Sequence, residues 1–418
     1  MRADGPVASP GTASETAPKA PRCGFLFNHD QLHQIAHSAP IAFELIRRST
    51  QMDVTLLASS QAQLDYLQCA AARYGLAQAD IRLLHLPRWL RPIARALDGI
   101  MPFSRITMLL GNLATFRTLD LLVVPEKTSL LLRTHFGLKS LKMVHTRHGA
   151  GDREVGFDRA SGKFDMVLVS GQKIADRLQR AGLLKPGGYR IVGYPKFDMH
   201  AGTARPKLFD NDRPTVLYNP HCSPRLSSWY RDGLAVLEAF YQSDKYNLIF
   251  APHVMLFSKR VQVSLDRLRL DWPGRIPERY RNCAHMLIDT GSANSCNMSY
   301  TRAADLYLGD ASSQVYEFLL DPRPCAFLDS HDTDWREDNN YQHWHAGPVL
   351  GSAQHLEASI DEVFATHADY LPVQRRLFEY SFDLNGTPSA QRAAEAIECF
   401  AATQLATRSA AVAVSPAY

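Results

Sequence analysis

Residues 301–328 read TRAADLYLGDASSQVYEFLLDPRPCAFL, and this stretch decides the fold class. The segment 306–308 is apolar, residues 310–313 form a polar turn, residues 314–320 have helical spacing, and residues 325–328 are apolar again. A buried strand, a turn, a helix and a second buried strand form the repeating unit of a parallel α/β sheet. The stretch therefore predicts a doubly wound sheet.

The polar turn in this stretch predicts a phosphate site. Ser312 and Ser313 stand at the expected start of the helix, where free backbone N–H groups and the positive dipole end favour an anion. Glu317 lies about one helical turn further on. The same serines can act simply as helix caps, and Glu317 can be a solvated helix residue. Capping and anion binding use the same N–H groups, so the two interpretations are compatible.

Composition limits the class of protein. With 418 residues and 45% hydrophobic content, the chain can bury two cores of ordinary size. The formal charge of +4 is mild and does not indicate a nucleic-acid partner. Seven cysteines without a C-x-x-C pair indicate a reduced, cytoplasmic setting. No apolar run of about 18 residues is present that would span a bilayer.

The alternation of apolar runs and amphipathic stretches predicts two Rossmann-like domains facing a central cleft, a GT-B-type architecture. We expect a disordered leader at 1–22, an acceptor domain at 23–200, a linker at 201–214, a nucleotide-donor domain at 215–400 and a flexible tail at 401–418. The expected strands of the first domain are 24–27, 54–58, 81–84, 121–124, 143–145, 166–169 and 191–192. Those of the second are 216–218, 248–251, 286–288, 306–308 and 325–328.

One basic segment suggests contact with a membrane. Residues 82–110 interleave arginines with leucine and aromatic side chains, a pattern that fits peripheral contact with an anionic membrane, here the inner face of the cell membrane. The other interpretation is a solvated basic face on ordinary surface helices.

Polar residues follow most of the expected strands, and ligands of open α/β sheets bind beyond the carboxyl ends of strands. A histidine in such a cleft can serve as a general base or as a clamp on phosphate. Each histidine taken singly is as easily a hydrogen-bonded loop residue, although glycines around His148 allow a close backbone approach. The candidate binding residues at these positions are Gly149, Gly151, Asn219, His221, His253 and Asp310.

The sequence offers weak support for a metal. Asp332 and Asp334 form a D-x-D pair, but Asp210 and Asp212 form an equivalent pair by chance. His343 and His345 lack a nearby ligand at the usual spacing. We therefore expect no metal site. The sequence also lacks a P-loop, a nucleophile elbow and a strand-borne G-x-G-x-x-G, which disfavours ATP hydrolysis, esterase activity and NAD chemistry.

The order of these motifs resembles the CDP-glycerol glycerophosphotransferases, a family that includes teichoic-acid primases and polymerases and related capsule transferases. The resemblance covers about residues 140–350. The motifs that carry it are HG at 148–149, GYPKFD at 193–198, LYNP at 217–220, PH at 252–253 and ADLYLGDASS at 304–313, followed by Glu317 and Pro324.

The resemblance implies a metal-independent transferase without a cofactor, which uses CDP-glycerol or another nucleotide-activated donor and a glycan or lipid-linked acceptor. It implies that His148 is the base and that His253 contacts the donor phosphates. It also implies that Ser312, Ser313 and Glu317 hold the diphosphate and the ribose. We expect the turn at Ser312 to face the His148 loop across a gap of nucleotide size.

Two other functions fit the same pattern. One is a nucleotide-sugar glycosyltransferase or a relative of the UDP-sugar 2-epimerases, for which a carboxylate pair such as Asp152 and Glu154 would be expected in the cleft. The other is a catalytically silent scaffold in polymer export.

Overall fold

The computed structural model describes residues 20–29, 32–49, 51–86, 103–147, 149, 151–153, 159–258, 262–264 and 269–413. Two parallel sheets of seven and six strands form the two lobes of the molecule. The α/β fold with two Rossmann-like domains facing a central cleft, predicted from the sequence, is confirmed.

The first lobe contains the seven-stranded sheet, in the order β3-β2-β1-β4-β5-β6-β7. All neighbouring strands in it are parallel. Its strands are Arg22–Phe27 (β1), Asp53–Ala58 (β2), Asp80–Leu83 (β3), Leu121–Val124 (β4), Lys142–Thr146 (β5), Met166–Val169 (β6) and Tyr189–Ile191 (β7).

The second lobe contains the six-stranded parallel sheet, in the order β12-β9-β8-β13-β14-β15. A short antiparallel hairpin, β10 with β11, is separate from it. The strands are Thr215–Asn219 (β8), Asn247–Phe250 (β9), Gln262–Ser264 (β10), Arg269–Asp271 (β11), Met286–Ile288 (β12), Leu306–Gly309 (β13), Cys325–Leu328 (β14) and Val349–Leu350 (β15). The hairpin and the edge strand β15 were not expected from the sequence.

The helices run between the strands and cover both faces of each sheet. In the first half of the chain they are Ala39–Arg48 (α1), Gln61–Arg73 (α2), Phe103–Gly111 (α3), Leu113–Arg117 (α4), Leu131–Thr134 (α5), Gln172–Arg180 (α6) and Pro195–Asp198 (α7). In the second half they are Trp229–Gln242 (α8), Glu278–Arg281 (α9), Ser299–Ala303 (α10), Gln314–Phe318 (α11), Leu356–Ser381 (α12) and Ser389–Ala413 (α13). Short 3-10 turns lie at Leu32–His37, Thr128–Leu130, Ser161–Lys163, Ala293–Ser295 and Asn339–Ala346.

Each sheet separates two apolar cores, because successive side chains of a strand point to opposite faces. In β1, Phe25 and Phe27 pack into one core of the first lobe and Leu26 into the other. In β13, Tyr307 packs into one core of the second lobe and Leu308 into the other. Strands buried on both faces explain the continuous apolar runs in the sequence.

The last helix returns to the first lobe. Ala393, Ala394 and Ile397 of α13 lie in a first-lobe core. The carboxylate of Asp198 accepts hydrogen bonds from the backbone N–H groups of the first two helical residues, Ser389 and Ala390 (3.1 and 2.6 Å), and so caps the helix. The division expected at residue 400 is therefore corrected: α13 crosses it, continues to Ala413 and belongs to the first lobe.

Three other segments were predicted from the sequence: a linker, a leader and a segment that contacts a membrane. Residues 201–214, the segment predicted to be a linker, contain no helix or strand. Residues 1–19 of the expected leader and 87–102 of the segment predicted to contact a membrane lie outside the described residues. In the described part of that segment, Arg82 is paired with Asp80 at 2.6 Å. Within the described residues, no helix combines the length and apolar character needed to cross a bilayer.

Candidate functional site

The loops after β8 and β13 are joined by one buried carboxylate. Asp310 accepts hydrogen bonds from the N–H of His221 (2.8 Å), the N–H of Ser228 (2.7 Å) and the hydroxyl of Ser228 (2.9 Å). Burial raises the pKa of Asp310 to about 6, although these donors act in the opposite direction. Asp310 therefore orients the His221 loop and does not itself face the cleft.

His221 has a fixed tautomer. The N–H of Ser223 donates to Nδ1 of His221 at 2.9 Å, so Nδ1 is the acceptor and Nε2 carries the proton. Burial, together with the neighbouring His253 and Arg153, lowers the pKa of His221 to about 3. The ring is therefore neutral near pH 7 and presents a single N–H from Nε2.

A second donor faces that N–H. Nη1 of Arg153, which belongs to the first lobe, lies 3.1 Å from Nε2 of His221. Because a guanidinium can only donate hydrogen bonds, the pair places two donors against each other. Burial also lowers the pKa of Arg153. An acceptor with negative charge placed between the two groups would satisfy both.

A third donor lies beside them. His253 accepts from the N–H of Met255 at Nδ1 (3.3 Å), which leaves the proton on Nε2. Its ring lies 5.4 Å from that of His221. The pKa of His253 is lowered to about 4, first by burial and second by the positive charge of Arg153. Arg153, His221 and His253 thus form a group of N–H donors contributed by both lobes, which we call the donor triad.

The turn before α11 is in direct contact with the first lobe. Gly149 has a φ of +78°, which favours glycine, and a Cβ on it would lie 4.0 Å from Oγ of Ser313. A Cβ on Gly151 would lie 2.9 Å from Cβ of Ser313, closer than real side chains approach. The two segments face each other as expected, but Gly151 touches Ser313 instead of leaving a gap of nucleotide size. His148 itself lies outside the described residues.

The helix after the serines is short. Helix α11 has five residues, so few peptide dipoles align at its start, and it offers little of the dipole expected from the sequence. Ser312 is buried, and its hydroxyl accepts from the N–H of Gln314 at 3.4 Å. Phosphate binding is therefore better supported by the donor triad than by the helix terminus.

Asn219 was expected to contact the donor, but the structure places it inside the second lobe. The residue has no exposed surface. Its amide donates to the carbonyl of Ala251 at 2.5 Å, and its carbonyl oxygen accepts from the hydroxyl of Tyr307 at 3.1 Å. Asn219 joins the ends of three strands and does not line the cleft.

Glu317 was expected to hold the ribose, but its carboxylate is occupied by the first lobe. Nζ of Lys196 donates to both oxygens at 2.6 and 2.8 Å, and the hydroxyl of Tyr194 donates at 3.0 Å. All three residues are buried. Glu317 therefore forms an ion pair between the lobes.

Asp152 forms a second buried connection between the lobes. Its side chain has no exposed surface and accepts from Nζ of Lys173 (2.9 Å) and from the hydroxyl of Tyr316 (2.7 and 2.8 Å). It also accepts from the backbone N–H and Nδ1 of His343 (3.0 and 2.9 Å). Burial alone would raise the pKa of Asp152, but Lys173 and His343 hold it well below its usual range.

The contacts of Asp152 affect two expectations from the sequence, the carboxylate pair of an epimerase and a metal-binding role for His343. A buried carboxylate that is engaged by four donor groups is not free to act as a base in the cleft, which removes Asp152 from the carboxylate pair expected of an epimerase. Glu154, its partner in that pair, lies outside the described residues. His343, weighed as a metal ligand on sequence alone, instead bonds Asp152 and the carbonyl of Asp310 (2.8 Å).

Sequence reasoning missed Arg153 and Lys196 as functional candidates. Lys196 stood inside the quoted motif GYPKFD, and Arg153 lies five residues after His148. A basic residue close to a strand end was an available signal. Their partners in the other lobe could not be inferred from spacing.

Comparison with known proteins supports the fold. No protein-family model matches the sequence, and no curated protein matches it. Among solved structures, a putative UDP-N-acetylglucosamine 2-epimerase from Listeria monocytogenes is similar with a TM-score of 0.59 at 12% identity, covering 92% of this chain and 97% of that one.

Two further solved structures show the same architecture. A variant of the wall teichoic acid polymerase TagF, soaked with CDPG, has a TM-score of 0.59 at 13% identity, covering 94% of this chain and 91% of that one. The S. aureus MnaA structure with UDP has a TM-score of 0.56 at 10% identity, covering 91% and 96%. At these identities the likeness establishes the GT-B-type fold.

Proposed function

We propose that the protein is a metal-independent transferase that moves glycerophosphate, or a related group, from a CDP-activated donor to an acceptor hydroxyl in cell-surface polymer synthesis. The observation that carries the proposal is the donor triad, in which Nη1 of Arg153 from one lobe faces Nε2 of His221 from the other, and the ring of His253 lies 5.4 Å from that of His221. A nucleotide diphosphate supplies the acceptor oxygens that this arrangement lacks.

The binding step uses the triad as a clamp. One oxygen accepting from both Arg153 and His221 removes the conflict between the two donors, and the adjacent His253 donates to a neighbouring oxygen. The guanidinium contributes a permanent positive charge. These groups carry the charge stabilisation that a divalent metal provides in other transferases.

The transfer step is a direct displacement at phosphorus. The acceptor oxygen forms a bond to the phosphorus of the glycerophosphate group, and its proton passes to His148, the base implied by the family resemblance. The bond between that phosphorus and the bridging oxygen breaks, and CMP leaves as an anion. Arg153, His221 and His253 stabilise the charge that develops on CMP.

The resemblance and the comparisons add context to the proposal. The TagF structure named above was soaked with CDPG, the MnaA structure is a complex with UDP, and the third neighbour is a putative UDP-N-acetylglucosamine 2-epimerase. A cytidine donor is the choice that agrees with the motif order in this sequence. A lipid-linked or glycan acceptor, and peripheral contact with the membrane through residues 82–110, belong to the same proposal.

Calorimetry and an activity assay test the proposal together. We expect CDP-glycerol and CMP to bind, UDP and UDP-N-acetylglucosamine to bind more weakly, and CMP release to require an acceptor. Binding of UDP compounds alone would support the glycosyltransferase or epimerase alternative, and no binding by any nucleotide would support the scaffold.

Two substitutions test the roles within the site. His148→Ala and His253→Ala should each abolish most turnover while the protein still folds, and His253→Ala should also weaken donor binding. His367→Ala is a suitable control because His367 lies on the long helix α12, where it contacts Gln374 of the same helix. Near-normal turnover in both cleft variants would refute the assignment.

A further inference from the structure

We propose that His343 is a positioning residue, which holds Arg153 against the donor-binding lobe through Asp152. The inference rests on the proposed function only in naming a diphosphate as the ligand of Arg153. It concerns a contact between the lobes that neither the sequence motifs nor the structural neighbours assign.

Both ring nitrogens of His343 lie within hydrogen-bond distance of buried oxygen atoms. Nδ1 lies 2.9 Å from Oδ2 of Asp152, and Nε2 lies 2.8 Å from the backbone oxygen of Asp310. The ring is therefore held at both ends, and the residue is 2% exposed.

This buried side chain connects the two halves of the donor triad. On one side it bonds Asp152, the residue directly before Arg153. On the other side it bonds the backbone of Asp310, whose carboxylate holds the N–H of His221 at 2.8 Å. One side chain thus sets the position of the Arg153 segment relative to the His221 loop.

The other partners of Asp152 belong to both lobes. Lys173, from the first lobe, lies 2.9 Å from Asp152 and also 3.5 Å from the centre of the Tyr316 ring. Arg177 donates to the backbone oxygen of Asp152.

The same anchor explains the contact between Gly151 and Ser313. Asp152 is drawn into the second lobe by Tyr316 and His343, and the preceding glycine is carried against the turn before α11. Loss of the His343 bond should release this segment. Arg153 would then lose its position opposite His221, while His221 and His253 keep their own contacts in the second lobe.

A double-mutant cycle tests the route of this effect. Inorganic pyrophosphate is the probe, and its Kd is measured by calorimetry for the full chain, for His343→Gln, for Arg153→Met and for the double variant. Because His343 acts through Arg153, His343→Gln should weaken binding by about tenfold, and the double variant should bind no more weakly than Arg153→Met. Additive losses would overturn the inference.

Hydrogen exchange provides a readout that needs no ligand. In the free protein, the backbone amides of Gly151, Asp152 and Arg153 should exchange faster in His343→Gln than in the wild type. His345→Gln is the matched control, because His345 lies two residues away and contacts the backbone oxygen of Arg336 and the ring of Trp335, but not Asp152. Equal exchange in the wild type and His343→Gln would overturn the inference.

A milder variant covers the case in which His343→Gln does not fold. Tyr316→Phe removes one hydrogen-bond donor from Asp152 without changing any charge. Tyr316→Phe should raise hydrogen exchange at the same amides and should weaken pyrophosphate binding less than His343→Gln does. A double variant of Tyr316→Phe with Arg153→Met should bind pyrophosphate no more weakly than Arg153→Met alone. If the wild-type protein binds no pyrophosphate and no CDP, the proposed function fails, and the exchange comparison alone decides whether His343 holds the segment.

Discussion

Replacing Arg153 by methionine should separate anion binding from stability. Methionine keeps the unbranched apolar stem of the side chain but removes the guanidinium that faces Nε2 of His221 at 3.1 Å. In the free protein this guanidinium opposes another donor, so its loss removes a conflict. We therefore expect the free energy of unfolding to change by no more than about 1 kcal/mol.

The ligand-bound protein should respond differently. A hydrogen bond from a charged donor contributes about 1.5–3 kcal/mol. Arg153→Met should therefore weaken pyrophosphate and CDP binding by about 10- to 150-fold. Binding is measured by calorimetry at constant ionic strength, and stability by urea unfolding. The control is Arg159→Met, since Arg159 is exposed and lies close by in the chain.

Two results would refute the reasoning. An unchanged Kd for pyrophosphate would mean that Arg153 does not contact the anion. A loss of stability above about 2 kcal/mol would mean that the guanidinium stabilises the free protein, which contradicts the conflict between donors.

Three further predictions follow from the buried groups. Because the pKa values of His221 and His253 are lowered to about 3 and 4, the unfolded chain binds protons below about pH 6.5 that the folded protein does not, so urea unfolding should show stability falling from about pH 6.5 to about pH 3. The double variant with glutamine at both positions should show a shallower fall, and equal slopes would contradict this assignment. Lys196→Met should destabilise the protein by about 3–5 kcal/mol because it leaves Glu317 buried and unpaired; urea unfolding of the double variant with Glu317→Gln should recover most of this loss, and an equal loss in both variants would contradict the ion pair. Gly151→Ala should weaken pyrophosphate binding in calorimetry because its Cβ would lie 2.9 Å from the neighbouring serine, whereas unaltered affinity would show that this contact does not position the triad.

The strands could be predicted from the sequence because their burial is a local property. Runs such as Leu121–Val124 and Cys325–Leu328 are apolar throughout, and a strand covered on both faces requires that pattern. The expected strands agree with the observed ones to within two residues. The hairpin strands QVS and RLD were missed because they contain no apolar run, and β15 was missed because two residues give too little pattern to recognise.

The candidate site could be predicted in part. His221 and His253 were found because they follow strands, and the carboxyl ends of parallel strands meet at one edge of a sheet. Asn219 follows the same rule but is used inside the protein. The position of a residue at a strand end shows that it is near the cleft, whereas the direction of its side chain depends on the neighbours that pack against it.

Local sequence patterns specify the two parallel α/β sheets and the loops that meet between them, because the burial of a strand and the position of its end depend on residues that are adjacent in the chain. Only the tertiary structure decided that α13 returns to the first lobe and that Asp152 pairs with His343, 191 positions away. The physical reason is that a buried charge must find a partner wherever the packing of the two lobes places one. No local pattern encodes that choice.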